Sequence, residues 1–212
     1  MKRASLLLMV VTACFAMSES AGAQLQIRKP QLGIFGGATL PRGDFAEEVA
    51  LGWNAGALFK VRVTRTIDAR IDGTYVKFGG EEIEFSNASV ESESDVAYGT
   101  LVAELNLGPD SAAYPGDNSV SPYINAGLGM YRFKSEGTCT DAPATPGACV
   151  DFITSNEDTN VGFTIGAGAN VPLWGIPAFG EFRYHRFGTV FPIGQAERSA
   201  TFFTVSVGIK IR

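Results

Sequence analysis

The one histidine of the chain follows two charged residues at alternate positions. Glu181, Arg183 and His185 are two residues apart, so an extended chain places all three on one face. A histidine beside a carboxylate can act as a general base, but acyl hydrolysis also needs a nucleophile such as serine within its reach. No serine-centred motif accompanies His185, and Phe187 occupies the next position on that face. We therefore expect no catalytic residues and interpret His185 as part of a packed hydrogen-bond network.

The N-terminus has the features of an export signal. Lys2 and Arg3 precede an apolar run, and Ala21-Gly22-Ala23 offers a small-x-small cleavage site. We predict that residues 1–23 are a cleaved signal peptide and that 24–212 form one mature domain. An alternative is a lipoprotein, because Cys14 ends a sequence that resembles a lipobox, but its leader would be very short.

Two cysteines, Cys139 and Cys149, remain in the predicted mature chain. Proline, glycine and other loop-forming residues separate them. In an oxidising compartment such a pair forms a disulfide that staples one loop. Two cysteines and a distant histidine do not make a tetrahedral zinc site, so we expect no metal and no cofactor.

Carboxylates are concentrated in the polar links between apolar segments, at about 41–51, 79–95, 134–159 and 189–199. Two interpretations stay open for these links: a solvated rim, or a surface that binds divalent cations or basic partners through carboxylate oxygens. No Asp-x-Asp-x-Asp-Gly calcium loop appears. The candidate acidic loop consists of Glu81, Glu82, Glu84, Glu91, Glu93 and Asp95.

Composition excludes two classes of protein. The formal net charge is −5 over 212 residues, whereas a nucleic-acid partner needs a basic surface. No run of 18 or more apolar residues is present, so a helical membrane span is also excluded.

Apolar and polar residues alternate through eight segments, which is the pattern of strands with two different faces. Each strand has about the length of a tilted transmembrane strand, longer than is usual in soluble proteins. Short links alternate with long ones, as in outer-membrane barrels. The segments are approximately 31–40, 53–63, 67–78, 100–107, 121–133, 160–171, 178–188 and 201–212.

The polar faces indicate which side of the sheet is inside. They are rich in glycine, which suits a narrow eight-stranded interior, and carry charges of both signs that can pair there. We predict an internal charge network of Lys60, Arg70, Asp72, Glu104, Glu181, Arg183 and Lys210. Aromatic residues near strand ends predict interfacial girdles, formed by Trp53, Tyr75, Tyr123, Tyr131, Phe133, Trp174, Phe179 and Phe187.

Three segments, at 122–129, 162–168 and 181–184, resemble strands of the small outer-membrane β-barrel family that includes the OmpA transmembrane domain and the OmpX-like proteins. The resemblance implies insertion into a Gram-negative outer membrane, contact with its lipids and lipopolysaccharide, and assembly by the barrel-assembly machinery. It also implies that Gly208, Ile209 and Ile211 of the final strand form the assembly signal, although Arg212 stands where the family usually ends in an aromatic residue.

Together these patterns predict an all-β fold, an eight-stranded antiparallel up-and-down transmembrane barrel. The expected role is structural, adhesive or interactive with surface ligands, with a lumen closed by charged side chains. Two alternatives remain at this point: a narrow channel for small solutes, and a soluble lipocalin-like barrel that binds a ligand.

Overall fold

Eight antiparallel strands close into one barrel. The computed structural model describes residues 30–47, 49–85, 88–108, 120–141, 154–174, 176–189 and 198–211. The strands are β1 (Gln31–Arg42), β2 (Gly52–Arg62), β3 (Ile67–Phe85), β4 (Ala88–Asn106), β5 (Ser121–Asp141), β6 (Thr154–Leu173), β7 (Ile176–Thr189) and β8 (Arg198–Ile211). A short 3-10 turn, Gly43–Glu47, follows β1. None of the described residues form a helix that is long and apolar enough to cross a membrane.

Each strand pairs with its sequence neighbours, and β8 pairs with β1, with Leu32 opposite Ile211. The predicted up-and-down barrel is therefore confirmed. The start of β1 and the end of β8 lie at the same end of the barrel, which we call the terminal end, and the opposite end is the loop end. Trp174, which follows β6, is at the terminal end, and the 3-10 turn is at the loop end.

The apolar faces of the strands point outward. Leu101 and Val207 leave 64% and 68% of their surface exposed, while their chain neighbours Thr100 and Ser206 are buried in the interior. A soluble barrel would bury the apolar side chains and expose the polar ones. The prediction of an apolar outside and a polar inside is confirmed, and the lipocalin-like alternative is not.

The outward apolar side chains form a band that ends at charged residues on the loop-end side. On β3 the band runs from Ile67 to Tyr75, and Lys77 is the next outward position. On β5 it runs from Pro122 to Met130 and is followed by Arg132. Nine residues of a tilted strand span the hydrocarbon core of a bilayer.

Strands β3 to β6 continue beyond this band, contrary to the predicted loops. Most of 79–95 and half of 134–159 are strand, and only residues 86 and 87 separate β3 from β4. The candidate acidic loop is corrected to two paired strands, with Glu82 opposite Glu91. Outside the bilayer a strand needs no apolar face, so the alternation of apolar and polar residues that marks a membrane strand is lost there. The backbone pairing between the strands nevertheless continues.

Inward glycines make room for large side chains in the lumen. A Cβ atom added at Gly168 would lie 2.6 Å from ring atoms of Tyr123. One added at Gly208 would lie 2.6 Å from the ring of Phe179. The glycine-rich inner face predicted from the sequence therefore accommodates aromatic rings, because an eight-stranded barrel has little interior volume.

Candidate functional site: a closed lumen and a protruding acidic sheet

The half of the lumen nearer the terminal end is filled by ion pairs. Arg70 lies at its centre and donates from Nη1 and Nη2 to the two carboxylate oxygens of Glu181, at 2.8 and 3.2 Å. Its Nε donates to Oδ1 of Asp72 at 2.6 Å, and Arg183 Nη1 donates to the other oxygen of Asp72 at 2.6 Å. Arg183 Nε is also 2.6 Å from Glu181 Oε1. Two arginines and two carboxylates therefore interlock across the barrel.

A second group of charges adjoins the first. Lys60 Nζ lies 2.8 Å from Glu104 Oε1 and 3.0 Å from Asp68 Oδ2. Arg62 Nε donates to Asp68 Oδ1 at 2.9 Å, and Arg70 Nη1 lies 3.6 Å from Glu104 Oε2. The carboxylate of Glu104 thus joins the two groups into one network.

Lys210 faces the same interior but has a different environment. Its ammonium donates to Oδ1 of Asn170 and lies 5.3 Å from the ring centroid of Phe179 and 6.0 Å from that of Tyr123. Among the described residues no carboxylate lies within ion-pair distance of Lys210. The structure therefore brings six of the seven predicted charges into one ion-pair network and places Lys210 beside it.

The predicted set omitted several residues that complete the network. Arg62 and Asp68 lie on the polar faces of their segments, whereas no local sequence pattern pairs Tyr123 and Asn125 with Glu181. Tyr123 Oη and Asn125 Nδ2 donate to Glu181 Oε2 at 3.0 and 2.8 Å. Parity along β5 would have placed both inside, because they alternate with outward Ile124.

The half of the lumen nearer the loop end is filled by packed rings. Phe78, Phe133, Phe187 and Phe202 are buried there, and Phe45 of the 3-10 turn packs on Phe78 with ring centroids 5.1 Å apart. The turn therefore closes the loop end of the barrel with an aromatic side chain. We call this group the aromatic plug.

The inward direction of five aromatic side chains corrects the predicted girdles. Tyr123, Tyr131, Phe133, Phe179 and Phe187 point into the lumen and are almost completely buried. Nearness to strand ends predicts the outer surface for them, but their positions alternate with outward apolar residues. Trp53, Tyr75 and Trp174 are exposed and stay candidates for the girdles.

His185 is part of the packing between the two halves. Its ring is 0% exposed and stacks on Phe202, with centroids 4.7 Å apart. Its Nδ1 lies 3.1 Å from Tyr131 Oη, and its Nε2 lies 3.3 Å from Thr204 Oγ1. The histidine thus has the hydrogen-bonded, packed environment that we expected.

Beyond the apolar band, β3 to β6 form what we call the protruding sheet, residues 76–85, 88–96, 131–141 and 154–160. β2 pairs with β3 only as far as Phe78, and β7 pairs with β6 only from Gly162 onward. Basic residues of the protruding sheet are Lys77, Arg132 and Lys134. Its ten acidic residues are Glu81, Glu82, Glu84, Glu91, Glu93, Asp95, Glu136, Asp141, Glu157 and Asp158.

One ion pair of the protruding sheet is solvent-exposed. Arg132 Nη2 donates to Glu157 Oε2 at 2.7 Å across the β5–β6 pair. This hydrogen bond holds the pKa of the Glu157 carboxyl below its usual value. Exposed pairs of this kind contribute little to stability, because water and salt screen them.

The other predicted residues are placed as follows. Cys139 is near the end of β5, opposite Val90, while Cys149 lies outside the described residues, so the disulfide stays a prediction. Cys14 and the predicted signal peptide also lie outside them. On β8, Ile209 and Ile211 face outward, and Gly208 faces the ring of Phe179.

The sequence matches the family model described as outer membrane protein beta-barrel domain over residues 5–210. No curated protein sequence matches it. The crystal structure of neisserial surface protein A (NspA) is similar, with a TM-score of 0.51 and 13% identity over 86% of this chain and 96% of that one.

Two structures from Pseudomonas aeruginosa are also similar. The N-terminal β-barrel domain of OprF has a TM-score of 0.45 and 13% identity, covering 85% of this chain and 97% of its own. OprG has a TM-score of 0.43 and 14% identity, covering 88% and 98%. Since the family model spans nearly the whole chain and the structure has the closed barrel with its apolar side outward, the chain belongs to the outer membrane protein β-barrel family, whose members reside in the Gram-negative outer membrane.

Proposed function

We propose that this protein is a surface-interaction protein, in which the barrel is the membrane anchor and the protruding sheet binds partners outside the cell. Short turns of outer-membrane barrels face the periplasm and long connections face outward, so the protruding sheet is extracellular. The observation that carries the proposal is the extension of four strands beyond the apolar band. On β5 it amounts to about 35 Å of extended chain.

Charge defines the class of partner. Ten carboxylates against three basic side chains make the protruding sheet strongly acidic. Such a surface attracts basic proteins or polycations over a distance set by the ionic strength. Divalent cations are a second ligand class that carboxylates suit.

The filled lumen favours a role in surface interaction and not one as a channel for solutes. Ion pairs fill one half and the aromatic plug fills the other. A solute path would require both to open. For the same reason the proposal includes no catalytic role, since His185 is enclosed between Phe202 and Tyr131.

The boundary of the apolar band supports contact with lipopolysaccharide. Arg42, Lys77, Arg132 and Arg186 point outward just beyond the band on four different strands. Guanidinium and ammonium groups at this depth suit lipid phosphates. The proposal also retains the cleaved leader and assembly by the barrel-assembly machinery through the end of β8.

The test compares two variants that lose the same amount of charge. The first replaces the six carboxylates at 81, 82, 84, 91, 93 and 95 with their amides. The second does so at Asp44, Glu47, Glu48, Asp110, Asp117 and Glu197, which lie outside the protruding sheet. Each folded protein is placed in nanodiscs and passed over a poly-lysine surface at several salt concentrations.

We expect the first variant to lose at least tenfold in affinity and the second to bind nearly as the native protein. Equal losses would show attraction by total charge alone and would overturn the assignment of the protruding sheet. Calorimetry with calcium decides the second ligand class: heat that is present in the native protein and absent from the first variant would assign the cation to these strands.

A further inference from the structure

A groove of about 590 Å³ runs along the outer wall near the terminal end, across β6, β7, β8 and β1. Every described residue that lines it is apolar or glycine, including Ile34, Gly36, Leu173, Ala178, Gly180 and Ile209. It is thus an indentation in the side of the barrel that faces lipid.

The floor of the groove is made of residues that have little or no side chain. Gly36 and Gly180 are both paired with Val207 of β8, and Ala178 is opposite Ile209. Although Ala178 points outward, only 6% of its surface is exposed, because larger neighbours stand over it. A Cβ atom added at Gly180 would meet nothing within 4 Å, so the space above the floor is open.

From this groove we infer a binding site for one acyl chain of a phospholipid in the periplasmic leaflet. The family places this wall against hydrocarbon. The groove is about four times as large as the roughly 150 Å³ cavity that holds one benzene ring, so it accommodates most of a fatty acyl chain.

The position of the groove fits the rest of a phospholipid. Its terminal end is at Leu173, next to Trp174, whose side chain is 96% exposed. Trp174 has a φ of 49°, a left-handed conformation that is strained for a non-glycine residue. Tryptophan favours the membrane–water interface, where the glycerol and headgroup of the lipid lie. Leu173 and Trp174 therefore mark the mouth of the site.

The experiment fills the groove and a matched position elsewhere. Gly180→Phe places a ring above the floor. Gly73→Phe is the control, because Gly73 of β3 also faces outward with nothing within 4 Å of an added Cβ atom, but it is not part of the groove. Both variants and the native protein are folded with phosphatidylethanolamine and studied by native mass spectrometry, after a heat-modifiability gel has verified folding. Gly180→Leu is used if the phenylalanine variant fails to fold.

We expect the native protein and Gly73→Phe to retain one phospholipid through detergent release, and Gly180→Phe to lose at least nine-tenths of that species. Equal retention in all three proteins would overturn the site. So would a native protein that carries no lipid, or a dimer that only Gly180→Phe disrupts, since the latter would assign the groove to a second copy.

Discussion

At the scale of single residues, the lumen holds charges that lie against an opposite charge and one, that of Lys210, for which the described residues include no ion-pair partner. Glu181 accepts hydrogen bonds from Arg70, Tyr123 and Asn125 and lies beside Arg183. Lys210 has an amide and two rings as its neighbours, and it also lies beside the amino group of Lys60. Removing one member of a buried ion pair leaves the other charge uncompensated, whereas removing an unpaired buried charge relieves a desolvation cost.

Glu181→Gln should therefore lower the free energy of unfolding by about 3 kcal/mol, because Arg70 and Arg183 lose a shared counter-charge. Urea titration of the protein in phospholipid vesicles, followed by tryptophan fluorescence, measures this. The matched control is Glu157→Gln in the exposed pair with Arg132, for which we expect no measurable change. A loss of similar size in the control would contradict the distinction between buried and exposed pairs.

Lys210→Met should act in the opposite direction. Methionine keeps the length of the side chain and its contacts with Tyr123 and Phe179 but removes the buried charge. We expect the free energy of unfolding in the same titration to be unchanged or to rise by about 1 kcal/mol. A clear destabilisation would mean that the ammonium has a stabilising role that its hydrogen bond to Asn170 does not explain.

At the scale of elements, the 3-10 turn between β1 and β2 has a structural role that its sequence did not reveal. It brings Phe45 into contact with rings from β3 and β5, at centroid distances of 5.1 Å to Phe78 and 6.0 Å to Phe133. A connection thus contributes to the core of the barrel. The strands form the wall of the barrel and do not cross its opening. The turn can therefore place a side chain over the loop end, which a strand cannot do.

Phe45→Ala should lower the free energy of unfolding by about 3 kcal/mol, since it leaves a cavity among rings that cannot collapse fully onto it. Asp44→Ala, at an exposed neighbouring position, is the control and should behave as the native protein. The same variant should remain non-conducting in planar bilayers, because the ion-pair network still closes the other half of the lumen. Stepwise currents from Phe45→Ala alone would show that the aromatic plug is the only barrier.

The elements differ in how far they could be predicted. Apolar and polar residues alternate wherever a strand crosses the apolar band, because one side of the strand faces lipid and the other faces the lumen. The number of strands, their directions and their faces could therefore be predicted from the sequence. Beyond the band that constraint ends, and Glu81 to Asp95 appeared to be a loop although backbone pairing continues through them. Nearness to a strand end favours girdles for Tyr123 and Phe187, whereas their parity along the strands places them inside, where they are buried. The hydrogen-bond partners of Glu181 are Asn125 and Tyr123, which are 56 and 58 residues away in the sequence. No local pattern predicts contacts between residues so far apart.

At the scale of the whole molecule, an anchor with a filled interior carries a large acidic surface on one side. An eight-stranded barrel encloses just enough space for its own side chains. We therefore expect the native protein to produce no nanosiemens conductance in planar bilayers, with a larger porin as the positive control. Conductance of that size, persisting after repurification of the heat-modifiable species, would contradict the closed lumen.

Among the described strands, none pairs with the outer edge of β3 beyond Phe78 or with that of β6 before Gly162, which has a further consequence for how neighbouring molecules behave in a crowded membrane. Open strand edges invite pairing with identical edges, which is the first step of sheet-to-sheet aggregation. The carboxylates on these strands oppose that step, since two copies would bring like charges together along their length. Self-association of this protein should accordingly be held back by electrostatic repulsion, and acid or concentrated salt should release it.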